Sequence, residues 1–305
     1  MGQHPRLIGA LAAVLLASGC AAAPVPTPTP VPTATPAPPL VFQGDRAYAQ
    51  AAAQMAYGPR PTGSAALRSL GDSILAELGR QGWQTRAQEF TYKNTPVRNL
   101  IASKGQSGDV IVIGAHYDTR RRADQDPQHP DQPVPGANDG ASGAAVLLEL
   151  ARVLDVQAAG KRVMLVFFDA EDNGGLDGWD WIAGSRQFAN ELDRYAPATP
   201  AAVVVVDMIG DAEQELYFDR NSDLRLSADI WGVAGRLGYG AQFVPATKWS
   251  MLDDHTPFVE RGIRSVDIID FDYPHWHRVT DTLDKLSPAS LERVGRTLEV
   301  WLEGR

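Results

Sequence analysis

Residues 110–118 read VIVIGAHYD, an unbroken apolar run that ends in a histidine and, two positions later, an aspartate. A Val/Ile run without alternation is the pattern of a strand buried on both faces, as in parallel sheets covered by helices. The pattern recurs at 163–172, VMLVFFDAED, which ends in Glu171 and Asp172, and at 201–207, AAVVVVD, which ends in Asp207. Between the first two runs, residues 140–156 (GASGAAVLLELARVLDV) space their apolar side chains as an amphipathic helix does, and Asp139 stands at its start. Strands alternating with helices predict an α/β fold: a single three-layer domain with a mainly parallel mixed sheet and helices on both faces. Ligands bind beyond the carboxyl ends of such strands. His116, Asp118, Asp139, Glu171, Asp172 and Asp207 are therefore expected at one rim, and His277 in DYPHWH adds a fifth polar cluster.

Imidazoles and carboxylates gathered in this way are ligands that zinc prefers. His116, Asp139, Asp172, Asp207 and His277 are enough for two ions about 3.5–4 Å apart with a bridging carboxylate, leaving Glu171 as a general acid/base. Each residue alone has an ordinary explanation. His116 and Asp118 could form a surface pair, Asp207 a helix cap, Glu171 and Asp172 the solvated end of a strand, and His277 a packed loop histidine. All five clusters in one order favour the metal. Other catalytic signatures fail: GASG around Ser142 lacks the full G-x-S-x-G elbow, and GVAGRLG follows a helical pattern where a dinucleotide site needs a strand.

The remaining chain predicts helices at 45–57, 65–82, 185–196, 224–238 and 287–305, the last with Ser287 as its cap. Strands are expected at 83–94, 97–105, 241–245 and 265–274, and a short helix around 254–263. Residues 119–135, polar and broken by prolines, read as a surface loop beside the site. Trp179, Trp249 and Trp276 are expected to wall a substrate pocket, whereas Trp181 serves equally well as wall or core.

The amino terminus differs from the rest. MGQHPRLIGALAAVLLASGC has one basic residue, an apolar stretch and small residues before the only cysteine, the form of an export signal too short to span a membrane comfortably. ASGC resembles the lipobox of bacterial lipoproteins. That resemblance implies a signal peptide over 1–19, acylation of Cys20 and an extracytoplasmic domain anchored at the cell envelope; an ordinary signal cut near 21–23 is the alternative. Residues 24–39, PVPTPTPVPTATPAPP, fit an extended tether of about 3.1 Å per residue, roughly 50 Å in all. Residues 20–40 thus form a spacer and 41–305 the catalytic domain. With a single cysteine, neither a disulfide framework nor thiolate ligation is available. The net charge is −9, and loss of Arg6 with the signal makes it −10; no basic stripe suggests a nucleic-acid partner.

The order GPRPTGS, AHYDT, PGANDGASG, FFDAED, VDMIG, DDHTPFVERGI and a terminal histidine resembles the zinc aminopeptidases of metallopeptidase family twenty-eight, and the glutaminyl-peptide cyclotransferases that share their fold. The peptidase resemblance implies two zinc ions bridged by Asp139. His116 and Asp207 would hold one ion, Asp172 and His277 the other, with Glu171 as base and Asp118 orienting His116. The cyclotransferase resemblance implies one zinc on Asp139, Asp172 and His277, a proton shuttle at Glu171, an acidic relay through Asp207 and Asp253, and Trp276 in the pocket. Peptide or protein N-termini are the implied substrates in both. FDYPHWH and the Trp-containing insertion before GSRQFA are similar to the cyclotransferases, the leading expectation; PGANDGASG and the retained His116 and Asp118 are similar to the peptidases. A non-enzymatic surface-binding lipoprotein on the same scaffold is a third reading, against which the intact ligand set argues. Asp172 stands where glutamate is common, and Asp267 where animal cyclotransferases carry histidine.

Overall fold

The structure, a computed structural model, describes residues 1–2 and 41–305. The expected signal, Cys20 and the tether lie outside the described residues. Six strands make the main sheet: β1 (Gln84–Tyr92), β2 (Thr95–Lys104), β3 (Val110–His116), β4 (Arg162–Phe168), β5 (Ala202–Asp207) and β8 (Ser265–Ile269). Their spatial order is β1-β2-β4-β3-β5-β8. The pairs β3–β4, β3–β5 and β5–β8 are parallel, while β1–β2 and β2–β4 are antiparallel, so the sheet is mixed as expected. A parallel two-stranded piece, β6 (Leu216–Phe218) with β7 (Phe243–Thr247), is not hydrogen-bonded into it but packs into the same core.

The continuous apolar runs have a direct physical cause. Alternate residues of a strand point to opposite faces, and both faces here are covered. Ile111, Ile113, Ala115, Val163, Leu165 and Phe167 pack into one core with α1 (Gly44–Met55), α2 (Ala65–Arg80), α3 (Ala141–Val153), α4 (Val156–Ala159), α6 (Leu224–Arg236) and α8 (Pro288–Glu303). Val110, Val112, Met164, Val166 and Phe168 pack into the other with α5 (Ala183–Asn190) and α7 (Thr256–Glu260). Each such side chain contributes roughly 1.5–3 kcal/mol by leaving water, so neither face tolerates a polar residue until the strand ends.

Local signals set the boundaries. Ser64 caps α2 by accepting from Leu67 N, and Asp223 caps α6 by accepting from Leu226 N. Ser287 occupies the cap position of α8 but makes no side-chain cap hydrogen bond; Pro288, whose fixed φ suits a first turn, starts that helix instead. The helix expected over 185–196 stops at Asn190 and resumes as a 3₁₀ turn, Leu192–Arg194. The strand expected over 265–274 ends at Ile269, where the Asp270 carboxylate accepts from Glu215 N and Asp272 N and turns the chain.

Registers His116↔Phe168 and Asp207↔Ile269 bring the carboxyl ends of β3, β4, β5 and β8 level. The start of α3 approaches that rim closely at Gly143, where a Cβ would lie 2.4 Å from Val206 O and 2.9 Å from Ala115 Cβ. Gly143→Ala is therefore expected to destabilise the domain by about 1–3 kcal/mol. Gly235→Ala, on an open face of α6 with nothing within 4 Å, should be neutral or stabilising by roughly 0.5–1 kcal/mol. Urea unfolding of both variants checks the contrast.

Candidate metal centre

His116 is the last residue of β3, and Asp118 follows it into the turn. The Asp118 carboxylate accepts from Glu171 N (3.3 Å), Asp172 N (3.4 Å) and the Thr62 hydroxyl (3.0 Å), and lies 3.6 Å from His116 Nδ1. One buried carboxylate thus ties the β3 end to the backbone of the acidic pair after β4. Asp139 precedes α3 through Gly140, whose φ of +99° and 2.5 Å Cβ approach to Asp118 O leave no room for a side chain. Asp281 accepts from Asn138 N (2.9 Å) and Asp139 N (3.1 Å), and Asn138 Oδ1 accepts from Gly210 N (2.7 Å). That network holds the turns after β5 and before α3 together. Ala170, Met208 and His277 all take positive φ, a cost of about 1–3 kcal/mol each that is often found at functional sites.

These restraints bring together the residues that the sequence singled out. His116 Nε2 lies 3.0 Å from Asp207 Oδ1 and 3.2 Å from Asp139 Oδ1. His277 Nε2 lies 2.9 Å from Asp172 Oδ1 and 3.6 Å from Asp139 Oδ2. His116–Asp139–Asp207 and Asp139–Asp172–His277 are therefore two ligand triads that share Asp139. All five residues are buried, and Asp139 Oδ2 and both Asp172 carboxylate oxygens have no hydrogen-bond partner. Buried, orphaned carboxylate oxygens beside imidazoles fit a divalent cation, and the nitrogen and oxygen donors fit zinc.

The electrostatics agree. Burial pushes Asp172 up to about 6, with Asp139 adding to the push and His277 opposing it. Burial likewise takes Asp207 up to about 7 against the pull of His116, with Asp253 and Asp139 adding repulsion. Glu171 is raised well above the usual carboxyl range by burial and by Asp172, Asp253 and Asp254, with His116 opposing. Burial disfavours charge on His116, but Asp207, Asp118 and Asp139 outweigh it and raise its pKa. Asp139 is held low despite burial, by His116, His277 and Arg120.

A cavity of about 280 Å³ opens on this centre, lined by Asp139, Glu171, Asp172, Asp207, Asp253 and His277 on its polar side. Trp181, Trp249, Phe271 and Trp276 form its aromatic side. Trp249 and Trp276 lie where the sequence suggested; Trp179 does not. It is buried one layer away against Tyr92, and Trp181, two residues on, takes the wall position because its indole stacks on His277 (5.8 Å). Gly174 makes the space, since a Cβ there would lie 1.9 Å from Trp181. Trp276 stacks on His277 at 3.7 Å.

Sequence reasoning missed what holds His277 from behind. Arg120, expected in a surface loop, is 2 % exposed: it lies over Trp181 and donates to Asp172 O (2.8 Å) and Gly174 O (3.2 Å). Its guanidinium forks onto Asp124 (2.6 and 2.8 Å), whose carboxylate lies 3.6 Å from His277 Nδ1. Gln125 N donates to His277 O, and Val279 N to Asp126. Residues 119–135 therefore buttress the site. Asp267 is buried beside Asp253 and held well above the carboxylate range by burial and neighbouring acids.

The match to known proteins follows this geometry. Residues 99–302 match the model of peptidase family M28, and the chain belongs to that family. Aminopeptidase YwaD of Bacillus subtilis is 27% identical over 69% of this chain; the match spans about half of that relative's length, 46%. A solved Zn-dependent exopeptidase of Parabacteroides distasonis is 30% identical with a TM-score of 0.81, covering 87% of this chain and 99% of that one. Porphyromonas gingivalis glutaminyl cyclase is 32% identical with a TM-score of 0.81, again covering 87% and 99%.

Partners of metal-bound histidines fix ring orientation, and their removal typically costs 10–100-fold in metal affinity. Asp124→Asn is expected to weaken zinc binding about 10–100-fold, read by chelator competition. Asp177→Asn, at an exposed carboxylate that pairs with half-buried Arg121 and Arg122, should leave affinity unchanged.

Proposed function

We propose that this chain is a zinc-dependent glutaminyl-peptide cyclotransferase, converting an N-terminal glutamine to pyroglutamate with release of ammonia. The observation that carries this reading is the small cavity in which Trp249, Phe271 and Trp276 face Glu171 and the Asp139–Asp172–His277 triad. A flat side-chain amide fits between such walls, and little room is left for bulk water. Those three ligands would hold a zinc ion, which when bound polarises the side-chain amide carbonyl. Glu171 takes a proton from the substrate's α-amine as the nitrogen attacks the δ-carbon. The new C–N bond closes the five-membered ring, the bond to the amide nitrogen breaks, and Glu171 returns the proton to departing ammonia. The raised affinity of Glu171 for protons suits a group that must both accept and donate. Asp207 and Asp253 form the acidic edge from which the leaving nitrogen is hydrogen-bonded.

A second reading has its own observation. His116 and Asp207 complete a second triad with Asp139, the ligand set of a two-zinc aminopeptidase in which Glu171 activates water against the first peptide bond. The likeness to the solved exopeptidase is as strong as that to the cyclase. For the amino terminus, the residue pattern around Cys20 supports export and lipid anchoring, with the proline-rich segment holding the domain away from the envelope membrane.

Zinc-loaded protein supplied with a Gln-initiated and a Leu-initiated peptide separates the two. Ammonia release with the peptide chain retained is expected; free leucine from the second peptide would overturn the cyclotransferase. Glu171→Gln should lower kcat at least 100-fold, the lower end for a general base, while zinc content by mass spectrometry stays unchanged.

A further inference from the structure

The catalytic cavity, at about 280 Å³, is at the small end for a ligand site, and a peptide's first residue fills it. The rest of the substrate has to leave, and one side is shut: Trp249, Phe271 and Trp276 pack edge to face, with centroids 5.4 and 5.1 Å apart. On the other side Trp181 and Leu252 line the cavity and also a neighbouring groove of about 590 Å³. Leu252 stands at this threshold 51% exposed, a large apolar side chain with no covering partner among the described residues.

We propose that this groove is the binding channel for the second to fourth residues of a peptide substrate, and that it selects apolar or aromatic side chains there. The inference rests on the reading that the site takes peptide N-termini, and holds for either reaction. Among the groove's lining residues, Phe90, Tyr92, Trp179 and Trp181 are aromatic and stand beside polar Thr91 and Gln187. The lining carries one cation and one anion, each held in an exposed pair. Arg186 is paired with Glu260 at 2.7 Å, and Asp180 accepts from the Tyr92 hydroxyl and lies 3.8 Å from Lys93. A charged substrate residue would therefore lose water without gaining a free counter-charge, whereas an apolar one gains by burial. For the peptide backbone, Gln187 offers a side-chain amide. β1, whose last three residues line the groove, is the outermost strand of the sheet and presents an unpaired edge of the kind extended peptides join.

The test compares the amide of glutamine with the tetrapeptide amide Gln-Phe-Leu-Ala on zinc-loaded protein, in the wild type and in Asn190→Trp, which fills the groove from an exposed position outside the catalytic cavity. The wild type is expected to show a KM about tenfold or more lower for the tetrapeptide, the effect of burying one or two apolar side chains. Asn190→Trp should erase that difference while leaving glutamine amide kinetics unchanged. Gln-Asp-Glu-Ala amide should gain nothing over glutamine amide. Equal KM values for the three substrates, or a length effect that survives Asn190→Trp, would overturn the proposal. If no Gln substrate is turned over, the cyclotransferase reading fails. Calorimetric binding of the same three compounds then still decides the groove, by the same length dependence and the same loss in Asn190→Trp.

Discussion

Asp139, Asp172, Asp207 and Glu171 are buried at one rim of the sheet, close enough to repel one another, and both flanking imidazoles are pressed into that field. Like charges at such separations in a low-dielectric interior raise each other's proton affinity until a cation or protons relieve them. Much of the surrounding architecture serves to keep these groups together against that repulsion. Asp118 binds the backbone amides of Glu171 and Asp172; Asp281 binds those of Asn138 and Asp139; positive φ is accepted at Ala170, Met208 and His277. Strain and desolvation gathered at one place in this way are relieved by a bound cation.

Symmetry between the two histidines follows from the same requirement. Each presents Nε2 to the shared centre and Nδ1 to a carboxylate 3.6 Å behind it, Asp118 for His116 and Asp124 for His277. The surroundings differ. His277 is sandwiched between Trp181 and Trp276 and backed by the Arg120 cation, whereas His116 sits among carboxylates at the end of β3. The Asp139–Asp172–His277 triad is thereby the better insulated from water, and it is the one that faces the aromatic side of the cavity. An aromatic wall on one side and an open, aromatic-lined groove on the other give a directional site, suited to an N-terminus that enters first and trails its chain behind.

Strong periodic signals made the frame legible in the sequence, and their absence hid the rest. VIVIGA, VMLVFF and AVVVV name central strands because burial on both faces forbids polar residues until the strand ends. The ligands are legible for the same reason: they are the first polar groups after each run. Arg120 and Asp124 were not, because a polar, proline-broken segment reads as exposed, and Arg120 is buried through stacking on Trp181, a fork with Asp124 and bonds to the Asp172 and Gly174 carbonyls. Whether Trp181 is wall or core was open in the sequence because no period applies within a turn; Gly174 leaves the space that lets its indole line the cavity, while Trp179 lines the neighbouring groove. The three-residue β6 is too short for any pattern, and Asp281 lies in a loop whose role depends on partners some 140 positions away.

Stabilisation of the buried carboxylate cluster by a bound cation is read by thermal unfolding of zinc-stripped and zinc-loaded protein from pH 5 to pH 8. In the stripped protein, Asp172 and Asp207 have folded-state pKa values raised to about 6 and about 7. They bind more protons folded than unfolded, so stability falls as pH rises through those values. His116, raised above its ordinary value, adds a loss in the same direction. Zinc favours the deprotonated ligands, so its stabilisation grows over the same range. The Tm gap between the two forms should widen steadily from pH 5 to pH 8, because the stripped protein weakens. A stripped protein whose Tm is flat or rises across that interval, with a constant gap, would contradict it.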